Sequence, residues 1–385
     1  MENKLNSKIS SEYAYIDTAE SLARLTKELH GAARVVVDVE ADGLHHYTDK
    51  VCLIQLSFCG KNYIIDPLAG FALTGFFEVL AEKELILHGA DYDLRMLKKT
   101  FGFRPKAPVF DTMLAAQVLG FEKIGLAALV EKFFGIVLHK GSQKSDWSRR
   151  PLTQALLDYA AADTKYLEAI AGALAESLRE LSRVDWHREC CSRVVKSTGL
   201  PDKSEAKEAW RIKGSSRLPP QVLAFVRELW KWRDGEARRR DRPSFMIMHN
   251  DDILEIANWR VKNLQVPLSQ GPAFLKRFHG EVLTRFENAV RIADSLPAAE
   301  WPKPLKKQEW PGEQPDYQKS EKLLAACKVL ADALKVETAF LASRAALTAV
   351  ARHQPRSIEG VMEVSGLMQW QAELLMPAIK SVLDG

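Results

Sequence analysis

At 385 residues, 46% of them hydrophobic and 27% charged, the chain can fill two or three packed cores and is no disordered polyelectrolyte. With 54 Lys and Arg against 50 Asp and Glu, the net charge is only +4, so a basic surface for a polyanion has to be a local patch. The five cysteines (Cys52, Cys59, Cys190, Cys191, Cys327) show no CxxC or zinc-like spacing, the start has no apolar signal core, and no apolar run approaches the ~18 residues of a bilayer span. Together these features argue against a disulfide scaffold or membrane protein and point to a cytoplasmic one.

After a polar tail, Leu22, Leu25 and Leu29 recur at three- and four-residue steps, which predicts a helix over 21–29. The run Arg34-Val35-Val36-Val37-Asp38-Val39-Glu40 follows, a β-branched strand expected to be buried on both faces. Alternation places Asp38 and Glu40 on one side of it. A carboxylate there needs a cation, either a paired Lys or Arg or a divalent metal. Beyond a turn at 41–44, segments 51–58 and 62–65 read as two meander strands around Gly60-Lys61. Then come an amphipathic stretch over 73–82, a short strand at 85–88 and a helix from about Asp91 to Lys99, with Asp93 at the junction where α/β proteins place ligands.

Val109-Phe110 repeats the strand-to-helix pattern, and Asp111 reads as a helix N-cap rather than a catalytic acid. Helices are expected near 113–119 and 126–134. Residues 135–153 form a basic loop with Lys144, Arg149 and Arg150 around Trp147, and one long helix is predicted over 153–181, carrying Tyr159 and Asp163 one turn apart. A polar linker near 203–214 leads to further helical segments, one of them bearing Arg238-Arg239-Arg240. Prolines 297, 302, 304, 311 and 315 interrupt the chain before helical periodicity returns at 322–383.

The DVE stretch (Asp38 to Glu40), HGADYDLRML (His88 to Leu97) and YAAAD (Tyr159 to Asp163) resemble the three motifs of the DEDD superfamily of 3′ to 5′ exonucleases, specifically ribonuclease D. Ser145-Asp146-Trp147 and Arg150-Pro151-Leu152-Thr153 resemble the segment before the last motif, and the later helices resemble HRDC domains. Tyr159, four residues before Asp163, matches the tyrosine subtype; five before stands Asp158 where the other subtype has histidine. The resemblance implies an α/β ribonuclease H-like exonuclease domain with a mixed sheet over 1–205, an HRDC domain over 206–298, a Pro-rich linker over 299–316 and a second HRDC-like all-α domain over 317–385.

It further implies two divalent ions, Mg²⁺ or Mn²⁺, about 4 Å apart in the general two-metal scheme. Asp38 would bridge them, Glu40 and Asp163 would complete the water-holding site, and Asp93 would serve the second ion. Tyr159 would orient the water, since an unperturbed phenol of pKa about 10 is a poor base at neutral pH. Leu44 would wedge against the terminal base. Lys144, Trp147, Arg149 and Arg150 would contact phosphate and base, and Arg238, Arg239 and Arg240 would add RNA grip. The implied substrate is RNA with a free 3′ end, tRNA precursors foremost, trimmed to nucleoside 5′-monophosphates with no obligate protein partner. The alternatives are DNA as substrate and a non-cutting nucleic-acid scaffold; a helicase is disfavoured by the lack of a GxxxxGK[ST] loop.

Overall fold

The computed structural model describes residues 13–138, 141, 143–199, 208–305 and 316–384. Among these, two compact units are formed, one from 13–41, 51–199 and 316–384, the other from 42–50 and 208–305.

The first unit is built on a six-stranded mixed sheet: β1 (Ala14–Ile16), β2 (Arg34–Ala41), β3 (Val51–Phe58), β4 (Lys61–Ile65), β5 (Glu84–Leu87) and β6 (Val109–Asp111), in the order β1-β4-β3-β2-β5-β6. The meander β2-β3-β4 is antiparallel, whereas β5 and β6 add in parallel. Val35, Val36 and Val37 of β2 are fully buried, as a central strand requires. Val35, Val37 and Val39 pack with Leu25 and Leu29 of the Ala19–His30 helix and Leu94 and Leu97 of the Ala90–Phe101 helix. Val36 faces the other way, toward Leu167 and Ala171. That second face is also the one to which Asp38 and Glu40 belong. β1 lies where only a polar tail is expected from sequence, paired in parallel with β4.

The expected single helix over 153–181 is two helices, Gln154–Lys165 and Leu167–Glu180, hinged at Tyr166. The break lets each serve a different core. Ala160 and Ala161 pack on Leu53 and Ile64 of the sheet, while Ile170, Leu174 and Leu178 face a helical cluster.

Packing departs from the expected domain partition in two respects, at the helices beyond 316 and at segment 42–50. Helices Tyr317–Leu334, Arg344–His353 and Gln369–Asp384 do not close a core of their own. Their Leu323, Leu347, Leu375 and Ile379 share one apolar cluster with Leu129, Ile170 and Leu174. Arg183 ties the two parts by donating to the carbonyls of Val118 (2.8 Å) and Leu334 (2.8 Å), and Glu189 accepts from the amides of Gln369 (2.7 Å) and Trp370 (3.2 Å) at the start of the last helix.

In the second unit, helices Pro220–Arg240, Asn250–Lys262 and Gly280–Ser295 surround Phe225, Trp232 and Phe286, with the Trp232 and Phe286 rings edge-on at 5.0 Å. Segment 42–50 belongs here: His46 Nδ1 meets Asp241 Oδ2 at 2.6 Å and the Tyr47 hydroxyl donates to Asp234 at 2.8 Å.

Candidate active site

β2 carries Asp38 and Glu40 on the face covered by the Gln154–Lys165 helix, which brings Asp163 beneath them. Carboxylate oxygens of Asp38, Glu40 and Asp163 all lie within 4.8 Å of one another. Asp93, in the first turn of the Ala90–Phe101 helix, is 6% exposed and accepts a hydrogen bond from the Val39 amide, which sets it against the same strand. Asp111 fixes that helix start. Its carboxylate accepts from Gly89 N (3.0 Å) and Ala90 N (2.8 Å) while also capping its own helix through Met113 N (2.9 Å) and Leu114 N (3.2 Å). The N-cap reading of Asp111 therefore holds, for two helices rather than one. Gly89 makes the turn possible, with φ +77° and Met113 Cε only 3.2 Å from where a Cβ would sit.

Among the described residues, no Lys or Arg pairs with any of the four acids, so of the two cations that the sequence allows the structure offers no internal one. Burial, then the neighbouring Asp163 charge, raises the Asp38 pKa to about 8. Burial, then Asp38, raises Glu40 to about 10. Asp93 is raised by burial and Asp38. For Asp163 burial also wins, to about 6, against the hydrogen bond from Tyr159. Left alone, the cluster holds protons; a hard divalent cation, which prefers a set of carboxylate oxygens, would replace them. The donor set thus fits such an ion. The Tyr159 phenol is pushed still higher by burial and by Asp163, so it stays a hydrogen-bond donor.

Asp38, Tyr159 and Asp163 line a cleft of about 540 Å³ with His88, Lys123, Gly125, Leu126, Leu138 and Gln143. Apart from His88, which heads the HGADYDLRML stretch, sequence reasoning missed these wall residues, which sit in loops and near a helix start. It also missed Gln55. This side chain stands opposite Asp38 in the β2–β3 register, is fully buried, and has neither amide atom hydrogen-bonded to protein. A lone amide in the apolar run VCLIQLSF, once aligned against the acidic strand, is the signal that could have found it.

Several expected nucleic-acid contacts are engaged elsewhere. Trp147 is 1% exposed, packed near Tyr159 at 6.1 Å between ring centres, and cannot stack on a base. Arg150 spends its guanidinium on Asp66 (2.6 and 2.7 Å) and the carbonyls of Cys52 and Trp147 (both 2.8 Å), bracing the loop. Arg149 meets Asp146 at 3.1 Å but is largely exposed, and Lys144 is exposed. Arg239 and Arg240 pair with the buried Glu236 at 2.7 and 3.5 Å, a carboxylate that also receives Arg285 at 2.6 Å. Arg238 lies over the Tyr47 ring at 5.4 Å. The triple-arginine run is an internal ion-pair network before it is a free basic patch. Leu44 is 44% exposed on segment 42–50 of the second unit.

The family model described as a 3′-5′ exonuclease matches residues 13–179, the stretch that holds the sheet and all four acids, and the HRDC domain model matches 222–266. Ribonuclease D of Cronobacter turicensis is 30% identical over 379 residues, 96% of this chain and 99% of that one. Ribonuclease D of Sphingobium indicum is 32% identical over 249 residues, 63% of each chain. The crystal structure of Escherichia coli RNase D has the same fold, with TM-score 0.70 at 24% identity over 97% of this chain and 99% of that one. A likeness that runs almost end to end in sequence and in fold, with the exonuclease match laid over the acid-bearing sheet, establishes that this chain belongs to the ribonuclease D family and is a 3′ to 5′ exoribonuclease.

Proposed function

We propose that Asp38, Glu40, Asp93 and Asp163 hold two divalent ions, Mg²⁺ or Mn²⁺, and with Tyr159 carry the trimming of structured RNAs such as tRNA precursors from the 3′ end, in the cytoplasm. The observation that supports it most is the set of carboxylates, Asp93 buried and the other three partly so, that has no basic partner among the described residues, with three of them within 4.8 Å at the wall of an open cleft. Bound there, the ions would supply charge that acidifies water and offsets the negative charge building on the leaving 3′ oxygen.

The protein's own part is orientation. Tyr159 donates its hydroxyl hydrogen bond to Asp163, which leaves the phenolic oxygen to accept from a water placed for in-line attack. A phenol held protonated in this way orients and does not act as base. Asp111 keeps Asp93 in reach of β2 by locking the helix start from which it projects. The five thiols are free, in keeping with a reducing compartment. No helix among the described residues is long and apolar enough to cross a membrane. E. coli RNase D is an exoribonuclease involved in structured RNA processing, and the same class of substrate is proposed here.

The test is Asp38→Asn on end-labelled RNA with Mg²⁺, Mn²⁺ or chelator. The native chain is expected to shorten the RNA stepwise to 5′-monophosphates only with an ion present, and the variant to bind RNA but leave it intact. Shortening by Asp38→Asn at more than about a hundredth of the native rate overturns the assignment, because losing one part of a preorganised electrostatic site costs about a hundredfold or more.

A further inference from the structure

His88 forms part of the cleft wall beside Asp38, Tyr159 and Asp163, and nothing so far gives it a task. Its tautomer can be read from its neighbours. The Thr112 hydroxyl has one hydrogen and donates it to the Leu87 carbonyl at 3.0 Å. Toward His88 Nδ1, 2.9 Å away, the same oxygen can only accept, so the ring carries its proton on Nδ1. Burial lowers the imidazole pKa against the pull of Asp111, which keeps the ring neutral at pH 7. Nε2 is then a bare lone pair, and it has no hydrogen-bond partner among the described residues. In a cleft whose other polar wall groups are Asp38, Asp163, Tyr159, Lys123 and Gln143, it is a neutral acceptor locked in direction.

We infer that His88 Nε2 accepts a hydrogen bond from a ribose 2′-hydroxyl at the 3′ end of the substrate, so that the cleft distinguishes RNA from DNA. The 2′-hydroxyl is the group that separates the two polymers at a given site, and apart from the terminal 3′-hydroxyl, which both share, it is the donor that a sugar-phosphate backbone can offer near its 3′ end. Phosphate oxygens only accept and would find nothing to bind there, and a 2′-deoxy end would leave the lone pair unmet; a divalent ion seated on the lone pair instead would leave the native chain with no deoxy penalty.

The inference rests on the cleft being the catalytic site, and the experiment separates the two. Matched RNAs with a single 2′-deoxy residue, at the terminal or the penultimate position, are compared with all-RNA on the native chain, His88→Ala and Asp38→Asn. The native chain is expected to lose about tenfold in kcat/KM at one of the two positions, the worth of one hydrogen bond in a water-poor site. His88→Ala should cut RNA and that deoxy substrate at rates equal within about twofold. An undiminished deoxy penalty in His88→Ala overturns the role of His88 alone; activity in Asp38→Asn overturns the site itself. Should the alanine variant not fold, ¹⁵N spectra of the imidazoles in Asp38→Asn serve instead. The His88 Nε2 signal is expected to be unprotonated and to shift with the all-RNA end but not the deoxy end; a protonated Nε2 in the free protein overturns the inference.

Discussion

Helices over 220–295 and helices over 317–384 have similar apolar periodicity, yet they bury their faces in different company. The first set packs around its own Phe225, Trp232 and Phe286. The second contributes Leu347, Leu375 and Ile379 to a cluster that already contains Leu129, Ile170 and Leu174 of the nuclease. Trp370 of the last helix stacks on Trp186 at 4.7 Å and 13°. Amphipathicity therefore tells how wide an apolar stripe is, but not who covers it. One set is an appended domain, and the other is a wall of the enzyme.

Ending the chain at residue 305 puts this contrast to its hardest test. The expected outcome is loss of the cooperative nuclease fold, read as early proteolysis within 112–198 and loss of near-ultraviolet dichroism, because the cluster around Ile170 is left open to water. A folded, active truncation would show that the terminal helices only lean on the enzyme.

Next come two single substitutions of similar size, one in each core, the first being Gly120→Ala. Gly120 has φ +82°, and a Cβ there would stand 1.8 Å from the Lys335 carbonyl oxygen, so the substitution must push the two parts of the shared core apart. We expect roughly 2–4 kcal/mol of destabilisation in urea unfolding of the nuclease unit. Phe286→Ala, at roughly 3–5 kcal/mol, should instead weaken the second unit and leave the nuclease transition in place. Equal effects of both variants on a single transition would erase the distinction.

Charge gives a subtler handle on the first unit. With chelator present, each acid of the cleft has its folded pKa above the ordinary carboxylate value near 4, so the folded state binds protons more tightly than the unfolded one. The stability this contributes is complete below the unfolded pKa and is lost as pH rises, through about 6 for Asp163 and about 8 for Asp38. The melting temperature of the metal-free nuclease unit should fall between pH 5 and 8, recover with Mg²⁺, and fall less in Asp38→Asn. A second-unit transition that responds equally to Mg²⁺ would contradict the placement of the acids.

The smallest effect is expected from Arg238→Ala. This residue already serves Tyr47 and Asp234, so RNA affinity should change by less than about twofold, with the salt dependence kept. A tenfold loss measured by filter binding would return the arginine run to the list of RNA contacts.

Much of the site was legible in the chain because its chemistry is strict. Asp38 and Glu40 at strand spacing, Asp93 at a strand-to-helix junction and Asp163 one turn beyond Tyr159 converge as their spacing and the family resemblance imply. What was not legible depends on long-range pairing. Trp147 and Arg150 look like ligands of a nucleic acid until β3 and Asp66 are placed beside them. The bend at Tyr166 carries no Gly or Pro, and only the two different cores on either side reveal it. Gln55 reads as a stray amide until the meander aligns it with Asp38.

The shared core also has a consequence in time. Leu375 and Ile379 stand about two hundred residues beyond Ile170 and Leu174, so the cluster that supports the helix bearing the latter closes only through contacts of long sequence separation. The second unit, whose helices find one another within 220–295, is expected to reach its fold sooner than the nuclease does.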